Sequence, residues 1–389
     1  MIFSLEALQA FHGDSLLLHA GSADAPLLVL IDGGPSGTWE TSLQPRLEEL
    51  RAERDGAGAG DRALRVDLAM VSHIDDDHVH GMVDLAGELV TEQEDAKPLR
   101  YDIRTLWHNS FDDIIGNDAD ELRTAAVEVL SEPVGDPRAD EIREAGLAVV
   151  ASVGQGRELR DQAKQLGWGI NEPFDGPVVL PKEGVRTITL GAVKLTVVCP
   201  HEAQLEKLHA VWDKWLEEHP KAVAHDAAAT AAFTDNSPYN LSSIVVHAEC
   251  NGMTMLLTGD ARGDHVLSGL DEAGIAQGGK THVDILKLPH HGSIRNLDAT
   301  FFQRITADHY VISANGRDGN PETETLETIA ATRDDDDFTV HLTNRSGKGD
   351  LEQRLDAFLA AKQASGRTYD VRFRDEAAHA LRIDLLEGS

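Results

Sequence analysis

Cysteine is scarce in this chain: Cys199 and Cys250 are the two among 389 residues, and each lies inside an apolar, strand-like run. A disulfide framework or a cysteine zinc site has no material to work with, so any metal has to be held by histidine and carboxylate. Long apolar runs are also missing. No stretch reaches the roughly 18 unbroken apolar residues of a membrane span, and Met1-Ile2-Phe3-Ser4 carries no basic segment ahead of an apolar one. The reading is a cytoplasmic protein with no membrane partner. Basic residues are few as well: 35 Lys and Arg face 67 Asp and Glu, a net charge of -32. Such a surface repels nucleic acid and anionic membranes, which counts against a nucleic-acid partner and leaves room for a protein that docks on acidic surface.

What remains is ordinary globular material, with an apolar fraction of 41%. The pattern alternates strand and helix, which places the chain in the α/β class. Residues 3 to 20 alternate apolar and polar, Leu27 to Ile31 run apolar into Asp32-Gly33-Gly34, and residues 66 to 72 form another buried strand. Ser42 to Arg54 and Met82 to Leu89 carry helical spacing, and Ile103 to Trp107 reads as a strand. Between 111 and 170 helices dominate, with 121–130 and 141–166 the best stretches, and this reads as a helical insertion or cap within one domain spanning 1–389. Strands return at 178–180 and 187–199, a helix is expected over 202–218, and strands recur at 243–248, 253–257, 285–288, 310–313 and 339–342.

Three of these strands end in chemistry. The first hands off to Ser72-His73-Ile74-Asp75-Asp76-Asp77-His78-Val79-His80-Gly81, a density of imidazole and carboxylate that few structural needs explain. Such donors suit zinc, manganese or iron. The second ends in Leu257-Thr258-Gly259-Asp260, whose carboxylate could bridge two metals, and the third in Pro289-His290-His291-Gly292-Ser293. Each alone has a plain alternative: a charged loop, a Gly-Asp turn, a pair of surface histidines.

Together they resemble the metallo-β-lactamase superfamily, most closely the branch found as the soluble domain of the DNA-uptake channel ComEC. Gly13-Asp14-Ser15, Asp32-Gly33-Gly34, His73 to His78, Leu257 to Asp260 and Pro289 to Ser293 stand in that branch's order. The resemblance implies a metallo-β-lactamase αββα sandwich and a hydrolase working through two divalent metal ions, zinc or manganese, with iron also suited. Carried over by residue, His73 and Asp75 would hold one metal, Asp77, His78 and His290 the other, and Asp260 would bridge them. Asp32 would support a ligand by hydrogen bond, and His291 would sit beside the metals as a proton or hydrogen-bond donor. Asp77 and His291 are the residues placed closest to the reaction, and His12 falls at the rim.

This chain also departs from the pattern. Where lactamase-like enzymes carry a further ligand histidine, it reads Asn236-Ser237-Pro238-Tyr239-Asn240-Leu241-Ser242-Ser243, so Asn240, or His108 at another strand end, is left to complete the first site. A late family histidine is Asn320 here. Substrate is less legible than fold, because one scaffold hosts many reactions. A phosphodiester is the first expectation and predicts a basic strip from Lys287, Arg295, Arg304, Arg317 and Arg345. A small lactone, thioester or amide is the second, and a metal-binding scaffold protein the third.

Overall fold

Leu27 to Ile31 is apolar at every position, as a strand buried on both faces requires. In the computed structural model, which describes residues 1–22, 24–55, 62–109, 154–183, 186–202 and 242–386, this run is the middle of a sheet. The chain opens with strands β1 (Ile2–Leu8), β2 (Leu16–Gly21) and β3 (Pro26–Ile31), then helix α1 (Gln44–Asp55). Strands β4 (Leu64–Val66) and β5 (Leu68–Val71) lead into helix α2 (Asp76–Glu94), followed by β6 (Tyr101–Ile103) and β7 (Thr105–His108). Helix α3 covers 154–166 and β8 is Gly169–Ile170. Next come β9 (Thr187–Leu190), β10 (Val193–Cys199), β11 (Val245–Cys250), β12 (Met253–Leu257), α4 (Gly263–Glu272) and β13 (Thr281–Lys287). The chain closes with α5 (Ala299–Arg304), β14 (Ile305–Ile312), α6 (Thr323–Thr332), β15 (Thr339–Leu342), α7 (Leu351–Ala364), β16 (Asp370–Phe373) and β17 (Ala380–Leu386).

These strands form a seven-stranded mixed sheet, ordered β17-β1-β2-β3-β5-β7-β8, and an eight-stranded one, ordered β16-β15-β14-β13-β12-β11-β10-β9, beside a small β4-β6 pair. The apolar side chains sort into three cores. One lies between the sheets, where Val29, Ile31 and Met70 of the first meet Leu195, Met255 and Ile285 of the second. A second packs α1, α2 and α3 on the other face of the first sheet through Leu47, Leu85 and Leu159. The third packs α4 to α7 on the far face of the second sheet through Leu270, Phe301, Leu326 and Phe358. The order of layers is therefore helix, sheet, sheet, helix. Cys199 and Cys250 are buried and unbonded.

The strands bearing polar ends run parallel: β3 with β5 and β5 with β7 in the first sheet, β12 through β15 in the second. Parallel strands place their C-terminal ends along one edge, the usual place for function in such sheets. The edges of the two sheets are joined there, with Ile244 N donating to Ser72 O (2.8 Å) and Ser313 Oγ to Gly13 O (2.6 Å).

Several elements differ from the sequence expectation. Helix α2 begins at Asp76, inside the acidic motif, because its first turn is carboxylate-rich and carries no apolar spacing; negative charge is favoured at a helix N-terminus. Residues 154–170, the end of the expected insertion, form α3 and β8, and both belong to the layer of the first sheet. Residues 111–153 lie outside the described residues, as does the helix expected over 202–218 from residue 203 onward. Strand β17, unanticipated, pairs with β1 and brings the two described ends of the chain together. Among the described residues no helix is long and apolar enough to cross a membrane.

Gly81 and Gly33 set how closely α2 approaches the end of β3. A Cβ on Gly81 would stand 2.1 Å from Gly33 O, and one on Gly33 would stand 2.3 Å from Met82 N. Gly33 N donates to His78 O (2.7 Å) and Gly81 N to Gly34 O (3.1 Å), so backbone holds backbone here. Helix propensity alone favours Gly81→Ala by about 1 kcal/mol. The crowding reverses that sign, and we expect a net loss of about 1–3 kcal/mol in a urea melt. A stabilised Gly81→Ala protein would show that the approach is slack.

Candidate metal centre

The centre is assembled at the joined edge. Four residues separate the end of β5 from α2, and the last, Asp75, is extended and occupies the N-cap position, yet its side chain makes no capping bond. Its carboxylate turns to His73 instead, with Oδ2 at 3.5 Å from Nε2. Asp77 and His78 sit in the first turn of α2. From the second sheet, Asp260 follows β12, and a Cβ on the adjacent Gly259 would stand 2.7 Å from Ser72 Cβ, so the turn seats directly on the loop opposite.

His290 and His291 owe their placement to an unusual backbone. Both are left-handed, with φ of 48° and 53°, and Gly292 continues at 81°. Non-glycine residues pay roughly 1–2 kcal/mol each for this conformation, and such strain gathers where side-chain direction matters. Hydrogen bonds from His290 N to Gly259 O and from Thr325 Oγ1 to Gly292 O hold the turn. Asp32, at the end of β3, is left-handed as well, with φ of 59°.

Three imidazoles are anchored through Nδ1. His291 donates from Nδ1 to Ser313 O (3.0 Å) with Asp14 Oδ1 3.6 Å away. His78 donates from Nδ1 to Asp32 Oδ2 (2.9 Å). Ser72 gives its one hydroxyl hydrogen to Asp32 Oδ2 (2.7 Å), so its oxygen accepts from Nδ1 of His73 (3.1 Å). An imidazole that donates from Nδ1 presents a lone pair at Nε2, the arrangement in which histidine binds metal.

The three Nε2 atoms converge on Asp260. His78 lies 3.3 Å from its Oδ1, His291 3.5 Å and His73 3.9 Å from its Oδ2, and Asp77 Oδ2 is 3.3 Å from His291. None of these contacts is a hydrogen bond: the Nε2 atoms of His73, His78 and His291 and Asp260 Oδ1 are buried without one. Buried polar atoms rarely stay so. The donor set also fits a divalent cation, and the buried group Asp14, His78, Asp260 and His291 could hold a metal ion.

Electrostatics agree. Burial opposes charge on His78, yet Asp260, Asp32 and Asp77 raise its pKa well above the usual imidazole value. Burial likewise opposes charge on His291, which Asp260 and Asp14 push up to about 10. Asp260 is held well below the carboxylate range against its burial, chiefly by His291 and His78. A proton and a metal ion compete for such nitrogens, and this field favours any cation at Nε2.

The sequence reading made His290 a ligand and set His291 beside the metals. The structure brings both to Asp260, but His290 is 3.9 Å from Oδ2 with its side chain 33% exposed, whereas His291 is 5% exposed and within the donor group. His108 is placed elsewhere: its ring donates through Nε2 to Gly156 O (3.2 Å), against the start of α3. Asn240 lies outside the described residues. His80 pairs with Asp76 (2.8 Å).

Of the expected basic strip, Arg295 follows the His290–Gly292 turn directly, whereas others are committed elsewhere. Lys287 is fully buried and bonds Asp14, Arg304 sits on Asp271 at the N-terminal end of β14, the far edge of the sheet, and Arg345 binds Asp356. Arg317 does reach the rim, donating to His12 Nε2 (2.7 Å). Asp77 and His291 both bear on the ionisation of His12, which burial lowers.

Asp14 and Lys287 were not assigned these roles by sequence. Lys287 Nζ bonds Asp14 Oδ2 and Leu288 O, tying the second sheet to the loop behind His291, and holds the Asp14 pKa down to about 2 against burial. The signal was Asp14 itself, a carboxylate between Gly13 and Ser15 at the end of a buried turn. Lys287→Met strands a buried carboxylate, and we expect a loss of about 3–5 kcal/mol that the Lys287→Met/Asp14→Asn double variant largely recovers. A double-variant loss equal to the sum of the losses in Lys287→Met and Asp14→Asn, measured in one denaturation series, would show the pair to be uncoupled. Neither protein-family models nor curated proteins match this chain, so its functional reading rests on this geometry.

Proposed function

We propose that this chain is a metal-dependent hydrolase with a metallo-β-lactamase-like αββα fold, acting on a small phosphodiester. The observation that carries the reading is the convergence of three Nδ1-anchored histidines on Asp260. His78 and His291, with Asp77, would hold one metal, and His73 and Asp75 the other, with Asp260 between. Bound there, divalent metals supply Lewis acidity and a water activated near neutral pH.

The chain's own residues do the rest. Asp32, Ser72 and the Ser313 carbonyl fix the ring tautomers, so each imidazole meets its cation without reorganising. Lys287 holds the Asp14 carboxylate 3.6 Å from His291 Nδ1, where its negative charge favours a cation on that ring. His290, part-exposed beside Asp260, faces the substrate and is placed to pass a proton to the leaving oxygen, the role that sequence gave to its neighbour. Arg317 with His12 offers one cationic contact at the rim, which suits a compact monoanionic phosphodiester better than a nucleic-acid strand.

A small lactone, thioester or amide is the second reading. What favours it is the commitment of Lys287, Arg304 and Arg345 to other partners.

The test pairs metal content of chelator-free protein with hydrolysis of bis-p-nitrophenyl phosphate. We expect bound zinc or manganese, turnover lost at least about 1000-fold together with metal in Asp260→Asn and His291→Ala, and kcat lowered about 100-fold with metal retained in His290→Ala. Bound metal with turnover of p-nitrophenyl acetate alone selects the carbonyl reading. Metal-replete protein that binds none overturns the proposal.

A further inference from the structure

The other end of the first sheet holds a second, chemically different cavity. About 520 Å³ in volume, it is lined by Arg51, Arg54, Arg62 and Arg65 with Asp24 and Asp67. Four guanidinium groups against two carboxylates leave two positive charges in one pocket of a chain whose net charge is -32. Composition did not place them there by default; this lining opposes the field of the whole molecule.

Two of the four guanidinium groups have a carboxylate partner, one of them Glu48 from outside the lining. Arg51 bonds Glu48 (3.1 Å), and Arg65 bonds Asp67 (2.6 Å). Asp67 is spent on that contact and on Leu28 N (3.2 Å). Among the described residues, Arg54 and Arg62 have no carboxylate within ion-pair distance. Arg54 is part-buried, and burial works against its charge with Asp67 and Glu53 only partly offsetting it. Arg54, part-buried, with no ion-pair partner among the described residues, and Arg62, exposed at the mouth, are left to meet an anion.

We infer that this cavity is a binding site for a small molecule carrying two or more phosphate groups. The volume falls within the roughly 300–1,000 Å³ of small-ligand sites. Guanidinium forks match phosphate oxygens in pairs, and their charge is permanent. The lining has no aromatic ring on which a nucleobase could stack, so the recognised part is the phosphate. The site is separate from the candidate metal centre. Its lining includes Gly21 and Pro26 at one end of β2 and β3, while Asp14 and Asp32 flank the other end, about 20 Å away at the rise of a strand. A ligand here is therefore not the substrate of that centre.

The test is calorimetric titration of inorganic pyrophosphate into the full chain, its Asp260→Asn variant and an Arg54→Ala/Arg62→Ala variant, with thermal melts confirming folding. We expect one pyrophosphate per chain, affinity at least tenfold weaker in the double arginine variant and unchanged in Asp260→Asn, with Arg54→Lys intermediate. No binding to the full chain overturns the inference. So does binding that Asp260→Asn abolishes and the arginine variant keeps, which would put the anion at the metal centre.

Discussion

Buried negative charge is the constraint on which the candidate centre depends. Asp14, Asp32 and Asp260 are almost wholly buried, Asp75 and Asp77 are mostly covered, and Lys287 is the one fully buried cation among them. Carboxylates in low dielectric cannot stay ionised without compensation. Lys287 answers Asp14, backbone and hydroxyl donors answer Asp32, and what remains is focused on Asp260. The surrounding imidazoles present lone pairs there once their Nδ1 hydrogens are committed. A divalent cation satisfies both demands at once.

The fold delivers these groups by simple means. Parallel strands end together, so side chains remote in sequence arrive at one edge from both sheets. Two close approaches, Gly33 on the backbone of Gly81 and Gly259 on the side chain of Ser72, set the spacing to within the width of a methyl group. The left-handed turn at His290 and His291 then brings two adjacent side chains to Asp260, one buried in the donor group and one part-exposed beside it.

Much of this was legible in sequence, and the reasons differ by residue. Apolar strands closing on His, Asp and Gly marked the edge, since a buried run followed by clustered donors has few other uses. The different burial of His290 and His291 was not legible, because it depends on a backbone conformation that residue identity disfavours. Lys287 looked like a free cation, since nothing local tells a strand-end lysine that its partner is 273 residues away. The start of α2 was hidden by charge, and β17 by an alternation of charged and apolar residues that only its pairing with β1 explains.

Diffraction from crystals of the zinc- or manganese-loaded chain, recorded at the absorption edge of the metal, tests the central claim most directly. The account predicts an anomalous peak bonded to Asp260 with the Nε2 atoms of His78 and His291 at about 2.0–2.2 Å. Saturating metal with no peak at Asp260, and those nitrogens bonded instead to ordered water, would contradict it.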